Sequence, residues 1–288
     1  MSKFEYFRPS SLEETFDLML GNPSHCLLAG GTDVMVKLKE NIIHPSVILD
    51  LGALDDLRGI KIEGGKITIG PLTTHTQLAE SDIIKKYAPA LAKAAGLVGS
   101  PQIRNEGTVG GNMGNASPAA DTVPALIAYD ATITIASVTG AREIPLNDLF
   151  VGPGRTKLKP GELIIKISFE AQEANQSSSF EKLGKRKALA ISVVNAAVFI
   201  EVHPKTKIVT KARFALGSVA ATPIRVHTAE EYLIGNVISE KLLLEIADVV
   251  SNTIKPIDDV RSTAIYRKEI AGTLIKRALE NALSTLSI

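Results

Sequence analysis

Two glycine pairs, Gly30-Gly31 and Gly110-Gly111, constrain the fold of this chain more than any other feature. The first closes the apolar run Leu27-Leu28-Ala29 and leads into Thr32-Asp33-Val34, where a helix is predicted over 33–39. Glycine tolerates positive φ and lets another group come close to the backbone. Consecutive amides in such a turn form a concavity for an anion, and a helix starting there adds partial positive charge. The second pair lies in Thr108-Val109-Gly110-Gly111-Asn112-Met113-Gly114-Asn115-Ala116-Ser117-Pro118-Ala119-Ala120-Asp121. It repeats the logic with small neutral donors: Thr108, Asn112, Asn115 and Ser117. Neither segment contains Lys or Arg, which suits a diphosphate held by dipoles rather than by ion pairs. An ionised Asp121 can only accept hydrogen bonds, which suits a sugar hydroxyl or a ring N–H.

A single Gly-Gly turn is a common structural signal; two of them beside apolar elements make a nucleotide site a serious reading. Other nucleotide motifs are missing from the sequence. No G-x-G-x-x-G follows a strand and no G-x-x-x-x-G-K-[ST] occurs, so the Rossmann and P-loop readings fail. No pair among His25, His44, His75, His203 and His227 has metal-ligand spacing, and no metal site is expected. His75, in Thr73-Thr74-His75-Thr76, is the histidine near the candidate site. The one cysteine, Cys26, can form neither an internal disulfide nor a cluster by itself, and reads as a buried small hydrophobe.

The 288 residues are comfortable for two cores. A net charge of +1 gives no case for nucleic acid or acidic membranes, and 5% aromatics with no Trp argue against base-stacking platforms. Met1-Ser2-Lys3-Phe4-Glu5-Tyr6 lacks the apolar core of a signal peptide. The apolar stretch Ala188 to Ile200 is too short to span a bilayer, so no membrane span and a cytoplasmic location are expected.

Ser11-Leu12-Glu13-Glu14 reads as a capping box opening a helix to Leu20. With strands at Leu27–Ala29 and Val47–Asp50 it makes a small unit over 1–57. A second unit, 58–175, opens with a hairpin around Gly64-Gly65, followed by helices over 74–86 and 89–97. Residues 99–123 read as a loop that wraps something, and strands return at Ala131–Ser137 and Glu162–Phe169. Glu170 to Ser179 reads as a polar linker. The third unit, 176–288, has strands at 180–183, 191–202 and 208–216, then helices at 227–235, 239–253 and 260–284, an α+β pattern.

Ala29-Gly30-Gly31-Thr32-Asp33 together with Thr108 to Asp121 resembles the paired FAD motifs of molybdenum-hydroxylase flavoproteins. These are the medium subunits of carbon monoxide and nicotinate dehydrogenases and the flavin domain of xanthine dehydrogenase. The resemblance covers nearly the whole chain and extends to Gly184-Lys185-Arg186-Lys187-Ala188. It implies the two-subdomain FAD-binding fold of the vanillyl-alcohol-oxidase type, followed by a C-terminal α+β domain. By motif position, Leu27, Leu28, Ala29, Gly30, Gly31, Thr32, Asp33 and Val34 would wrap the diphosphate and ribityl region. Thr108, Gly110, Gly111, Asn112, Met113 and Gly114 would complete that cradle. Asn115 and Ser117 would hold the chain, and Asp121 would anchor a cofactor hydroxyl or ring edge. Val98 would lie near the adenine and Ile164 near the isoalloxazine. A ring-facing lysine of the family falls on Lys182 by residue type and on Glu181 by counting from Lys185-Arg186. The family's flavin-shielding aromatic has no match near Leu189-Ala190-Ile191.

The resemblance also implies partners: a large subunit with the molybdenum–pterin cofactor and a small subunit with two [2Fe–2S] clusters. Electrons would pass through FAD to NAD or another acceptor. No catalytic acid or base is expected on this chain. The single cysteine speaks against the hydroxybenzoyl-CoA reductase branch, whose flavin subunit holds a further cluster. The basic run Lys182, Lys185, Arg186, Lys187 reads as a solvated loop or a flank of the flavin or a partner. Two rival readings are a stand-alone flavin oxidase or reductase of the same fold and a flavin-free assembly subunit.

Overall fold

The computed structural model describes residues 3–186 and 189–286; Met1-Ser2, Lys187 of the basic run and Ala188 lie outside the described residues. The chain opens with β1 (Glu5–Phe7), α1 (Leu12–Gly21), β2 (His25–Leu28), α2 (Val34–Lys39) and β3 (Val47–Asp50). These strands form a parallel sheet in the order β1-β3-β2. Ser11 caps α1 by accepting from the Glu14 amide at 3.1 Å, whereas the Glu14 carboxylate returns to the Ser10 amide and not to Ser11. Phe16 and Met19 of α1 are buried with Val47 and Leu49 of β3. β1 carries little pattern of its own, with its side chains exposed, and exists by pairing with β3.

The next segment begins with the hairpin β4 (Ile60–Glu63) and β5 (Lys66–Ile69) around Gly64-Gly65. The helix predicted over 74–86 is two helices, α3 (His75–Glu80) and α4 (Asp82–Tyr87). Ser81, at ψ 124°, leaves the helical region, and its hydroxyl caps α4 through the Ile84 amide. After α5 (Pro89–Gly96) comes the largest departure from the sequence reading. The expected wrapping loop 99–123 holds α6 (Pro101–Glu106), α7 (Val109–Asn115) and the start of α8 (Thr122–Ala128). Its glycines and polar residues obscure a helical path that Ser100 and Thr108 cap by accepting from Ile103 and Gly111. Each such cap contributes about 1 kcal/mol, comparable with the helix penalty of one glycine. Then follow β6 (Thr132–Ser137), β7 (Gly140–Pro145), β8 (Phe150–Gly152), β9 (Arg155–Thr156) and β10 (Leu163–Glu170). The antiparallel sheet has the order β4-β5-β10-β6-β7. β7, unannounced in the sequence, is a largely exposed edge strand without a readable apolar alternation.

The last segment comprises β11 (Gln176–Gly184), β12 (Ser192–Val202), β13 (Val209–Gly217), β14 (Ile224–Arg225), α9 (His227–Leu233), α10 (Glu240–Thr253) and α11 (Ala264–Ser284), with sheet order β11-β12-β13-β14. The stretch read as a polar linker is strand from Gln176 onward. Ser177, Ser178 and Ser179 are buried, and Ser178 meets Tyr129 Oη at 2.5 Å. β12 shows why its run is almost wholly apolar. Val194, Ala196, Val198 and Ile200 join a core with α10 and α11, while Ala197 and Phe199 join the core of the five-stranded sheet. The period of two sends alternate side chains to opposite covered faces. Among the described residues, no helix is long and apolar enough to cross a membrane.

Candidate functional site

The turn after β2, the start of α7 and the start of β10 wall a cavity of about 450 Å³, within the range of small-molecule sites. Leu27, Ala29, Gly30, Gly31, Thr32, Asp33 and Val34 line it from the first motif. Thr108, Gly110, Gly111, Asn112, Gly114 and Asn115 line it from the second, and Val98 and Ile164 complete the predicted set found there. The two motifs meet directly where Asn115 donates to Asp33 Oδ1 at 3.1 Å. The second is anchored to the segment before α3 by the Thr74–Thr108 bridge, with His75 donating its amide to the Gly107 carbonyl and Val109 to the Thr73 carbonyl at 3.0 Å.

The two glycine pairs are not equivalent. None of the amides of Gly30, Gly31, Thr32 and Asp33 donates to another described residue. Gly31 turns the chain with φ +73°, and the result is a short arc of free donors facing the cavity. The second pair lies inside α7, where Gly110 donates to the Pro71 carbonyl at 2.8 Å and Gly111 to the Thr108 hydroxyl at 3.0 Å. It therefore supplies a wall without side chains rather than a second arc of free amides. A Cβ on Gly114 would meet nothing within 4 Å, and one on Gly111 would approach Thr108 Oγ1 and Ala29.

Five predicted residues lie elsewhere. Leu28 sits under the turn, with Cδ1 3.2 Å from the point where a Gly31 Cβ would stand. Met113 is fully buried in the core of the five-stranded sheet, on the face of α7 turned from the cavity. Ser117 accepts from the Ala119 amide at 3.2 Å and so braces its own turn. Asp121 and Lys182 pair with each other at 2.6 Å, their side chains 8% and 7% exposed. The second Asp121 oxygen accepts from Ser192 at 2.6 Å and Asn195 at 2.9 Å, while Lys182 also donates to the Leu97 carbonyl at 2.9 Å. Glu181 binds Lys93 and Asn281 instead.

Several lining residues escape the sequence reading. Lys37, one turn into α2, brings an ammonium to the end of the cavity expected to hold a diphosphate, where the two motifs themselves offer no Lys or Arg; the helical spacing from Val34 is the available signal. It donates to Asn115 Oδ1 at 2.6 Å, and Asn115 donates to Asp33 Oδ1 at 3.1 Å. Cys26, expected in the core, is half-buried in the cavity wall; burial pushes its thiol pKa up and Lys37 opposes the shift. Glu162 is clamped by Arg142 at 2.8 and 2.9 Å and by the Lys159 amide, and these bonds, Arg142 foremost, hold its pKa at about 2. Nothing local in sequence links Arg142 to Glu162.

His75 is 3% exposed, and its Nδ1 is buried without a partner among the described residues. Burial, aided by the nearby Arg104 charge, lowers its pKa from 6.5 to about 4. The folded chain thus holds a neutral imidazole where the unfolded chain takes a proton. This contribution to stability is fully present above pH 6.5 and declines as pH falls toward 4, by about 3 kcal/mol. Urea unfolding of the flavin-free chain at pH 7 and pH 4.5 should show that loss, and His75→Gln should remove most of it. Equal losses in both proteins would exclude His75 as the source.

An arc of unpaired amides, an orphaned buried imidazole nitrogen and a glycine wall suit a dinucleotide: phosphate oxygens for the amides, and polar groups for the imidazole. Fold and cavity together define a dinucleotide-binding protein with an added C-terminal sheet-and-helix unit. Residues 2–169 match the FAD binding domain in molybdopterin dehydrogenase, and residues 179–282 match the CO dehydrogenase flavoprotein C-terminal domain. The chain belongs to this family of FAD-binding subunits of molybdenum hydroxylases, which are parts of oxidoreductases. It is 34% identical to the nicotinate dehydrogenase FAD-subunit of Eubacterium barkeri, over 99% of this chain and 98% of that protein. It is 33% identical to the xanthine dehydrogenase FAD-binding subunit of Escherichia coli O157:H7, over 97% and 96%. A chain of the carbon monoxide dehydrogenase from Hydrogenophaga pseudoflava that lacks the Mo-pyranopterin moiety superposes with a TM-score of 0.95, at 31% identity, covering 99% of each chain.

Proposed function

We propose that this chain is the electron-transfer subunit of a molybdenum hydroxylase complex, passing electrons from iron–sulfur clusters on a small partner subunit through FAD to NAD or another acceptor. A large partner subunit would hold the molybdenum cofactor. The observation that carries the reading is the arc of free amides from Gly30 to Asp33, aimed into a cavity that the second motif closes. Those amides and the Thr32 hydroxyl would hold the diphosphate. Gly111 and Gly114 would let the cofactor lie against α7, and Val98 and Ile164 would flank it from opposite segments. Asp121 and Lys182 would brace the wall through Leu97, next to Val98. Bound FAD supplies the exchange between one-electron and two-electron carriers; the protein residues bind it, orient it and exclude water. The organisation proposed with it is three units, 1–57, 58–175 and 176–288.

The visible absorption spectrum of the purified chain, before and after adding FAD, tests the reading. Flavin bands, with FAD as the released cofactor, are the expected result. Gly31→Val should weaken FAD binding at least tenfold, since a β-branched residue at φ +73° is strained by about 1–2 kcal/mol. In the complex assembled with both partners, the reduced flavin bands should recover on adding NAD or the true acceptor. A chain that takes up no FAD would remove the proposal.

A further inference from the structure

We propose that Lys37 is the counter-ion of the bound cofactor's diphosphate, a role that rests on the FAD reading above. Lys37 is half-buried on α2, four residues beyond Asp33 and so one turn from the arc of free amides. Its ammonium has three N–H donors, and among the described residues one acceptor engages it, Asn115 Oδ1 at 2.6 Å. No carboxylate among the described residues pairs with it. The other charges about the cavity are differently placed. Arg142 is spent on Glu162, and Arg104 donates to the Val98 carbonyl at 3.0 Å. Asp33, the nearest carboxylate in sequence, is separated from Lys37 by the Asn115 amide, whose nitrogen faces Asp33 and whose oxygen faces Lys37. A neutral amide thus bridges the two side chains, so that the ammonium keeps N–H donors free that a direct ion pair with Asp33 would occupy. A dianionic diphosphate taken out of water calls for such a charge, because backbone amides supply dipoles alone.

The test is titration of the full-length, FAD-stripped chain with FAD and, separately, with riboflavin, which carries no phosphate. Lys37→Gln is expected to weaken FAD binding about ten- to hundredfold, the range of a lost charge-assisted hydrogen bond, and to leave riboflavin binding unchanged. The salt dependence of FAD affinity should become shallower in Lys37→Gln. Lys37→Arg, which keeps the charge, should recover most of the affinity. Unchanged FAD affinity and salt dependence in Lys37→Gln, or an equal loss for riboflavin, would overturn the proposal while leaving the FAD reading in place. Failure of the wild-type chain to take up FAD would overturn both.

Discussion

Replacing Asp121 by alanine is expected to destabilise the fold by about 3–5 kcal/mol, the usual consequence of removing one partner of a buried ion pair. The Lys182 ammonium, 7% exposed in its side chain, would keep the Leu97 carbonyl as its neighbour and lose its counter-charge. Ser192 and Asn195 would each lose an acceptor, in a place where Asn195 Oδ1 is already unsatisfied among the described residues. The loss should therefore exceed that of an exposed pair such as Lys241–Glu245, about 0–1 kcal/mol. Asp121→Asn, which keeps acceptor oxygen but not charge, should fall between. The double variant Asp121→Leu with Lys182→Met should lie much closer to wild type, because no charge is then left buried. Urea midpoints for all four proteins decide the matter. A single-variant loss under about 1 kcal/mol would mean that water reaches Lys182 and that the pair is not a buried one. The same network touches function through Leu97, so Asp121→Ala should also weaken FAD binding by loosening the segment that carries Val98.

The elements legible in the sequence are those whose pattern is set by their own burial. β3 was predicted over the residues it occupies, Val47–Asp50, since three of its four side chains are buried. The hairpin at Gly64-Gly65 was legible because two left-handed residues in succession admit few alternatives to glycine. In the last segment, β12 is legible from its nearly unbroken apolar run and α10 from its apolar period, and Ser239 marks the start of α10 as its cap. What stayed hidden depends on partners far along the chain. α7 reads as loop by composition and is helix because Thr108 caps it and Gly110 packs on Pro71. Asp121 reads as an isolated acceptor, yet its partners stand 61 to 74 residues away. Its residue type limits what it can bind; which donors meet it is decided by the packing of β11 and β12 on the segment 116–121. Lys37 illustrates the same limit, because the absence of cations within two motifs says nothing about a cation one helical turn outside them.

Gly30→Ala is expected to abolish FAD binding or weaken it more than a hundredfold, whereas Gly114→Ala should stabilise the flavin-free chain. A Cβ at position 30 would stand 1.8 Å from the Glu106 carbonyl oxygen and 2.5 Å from its carbon. Both obstacles are backbone, so relief requires moving the turn or the segment that ends α6. Overpacking of this kind destabilises by about 1–3 kcal/mol even where side chains can yield, and here the displaced atoms are the free amides themselves. Gly110→Ala meets a similar obstacle, Pro71 Cβ at 2.5 Å and Pro71 O at 2.7 Å, and should resemble it. Position 114 has the opposite surroundings: nothing lies within 4 Å, and the residue is inside α7. There alanine lowers the backbone entropy lost on folding and should add about 0.5–1 kcal/mol of stability. Any FAD affinity that Gly114→Ala loses then reports direct contact between the cofactor and α7, since the fold itself has improved. Thermal melts of the flavin-free proteins, paired with FAD titrations, separate the two effects. A Gly30→Ala protein that melts normally and binds FAD normally would show that the tight approach of the turn to the Glu106 carbonyl is not what shapes the arc of donors.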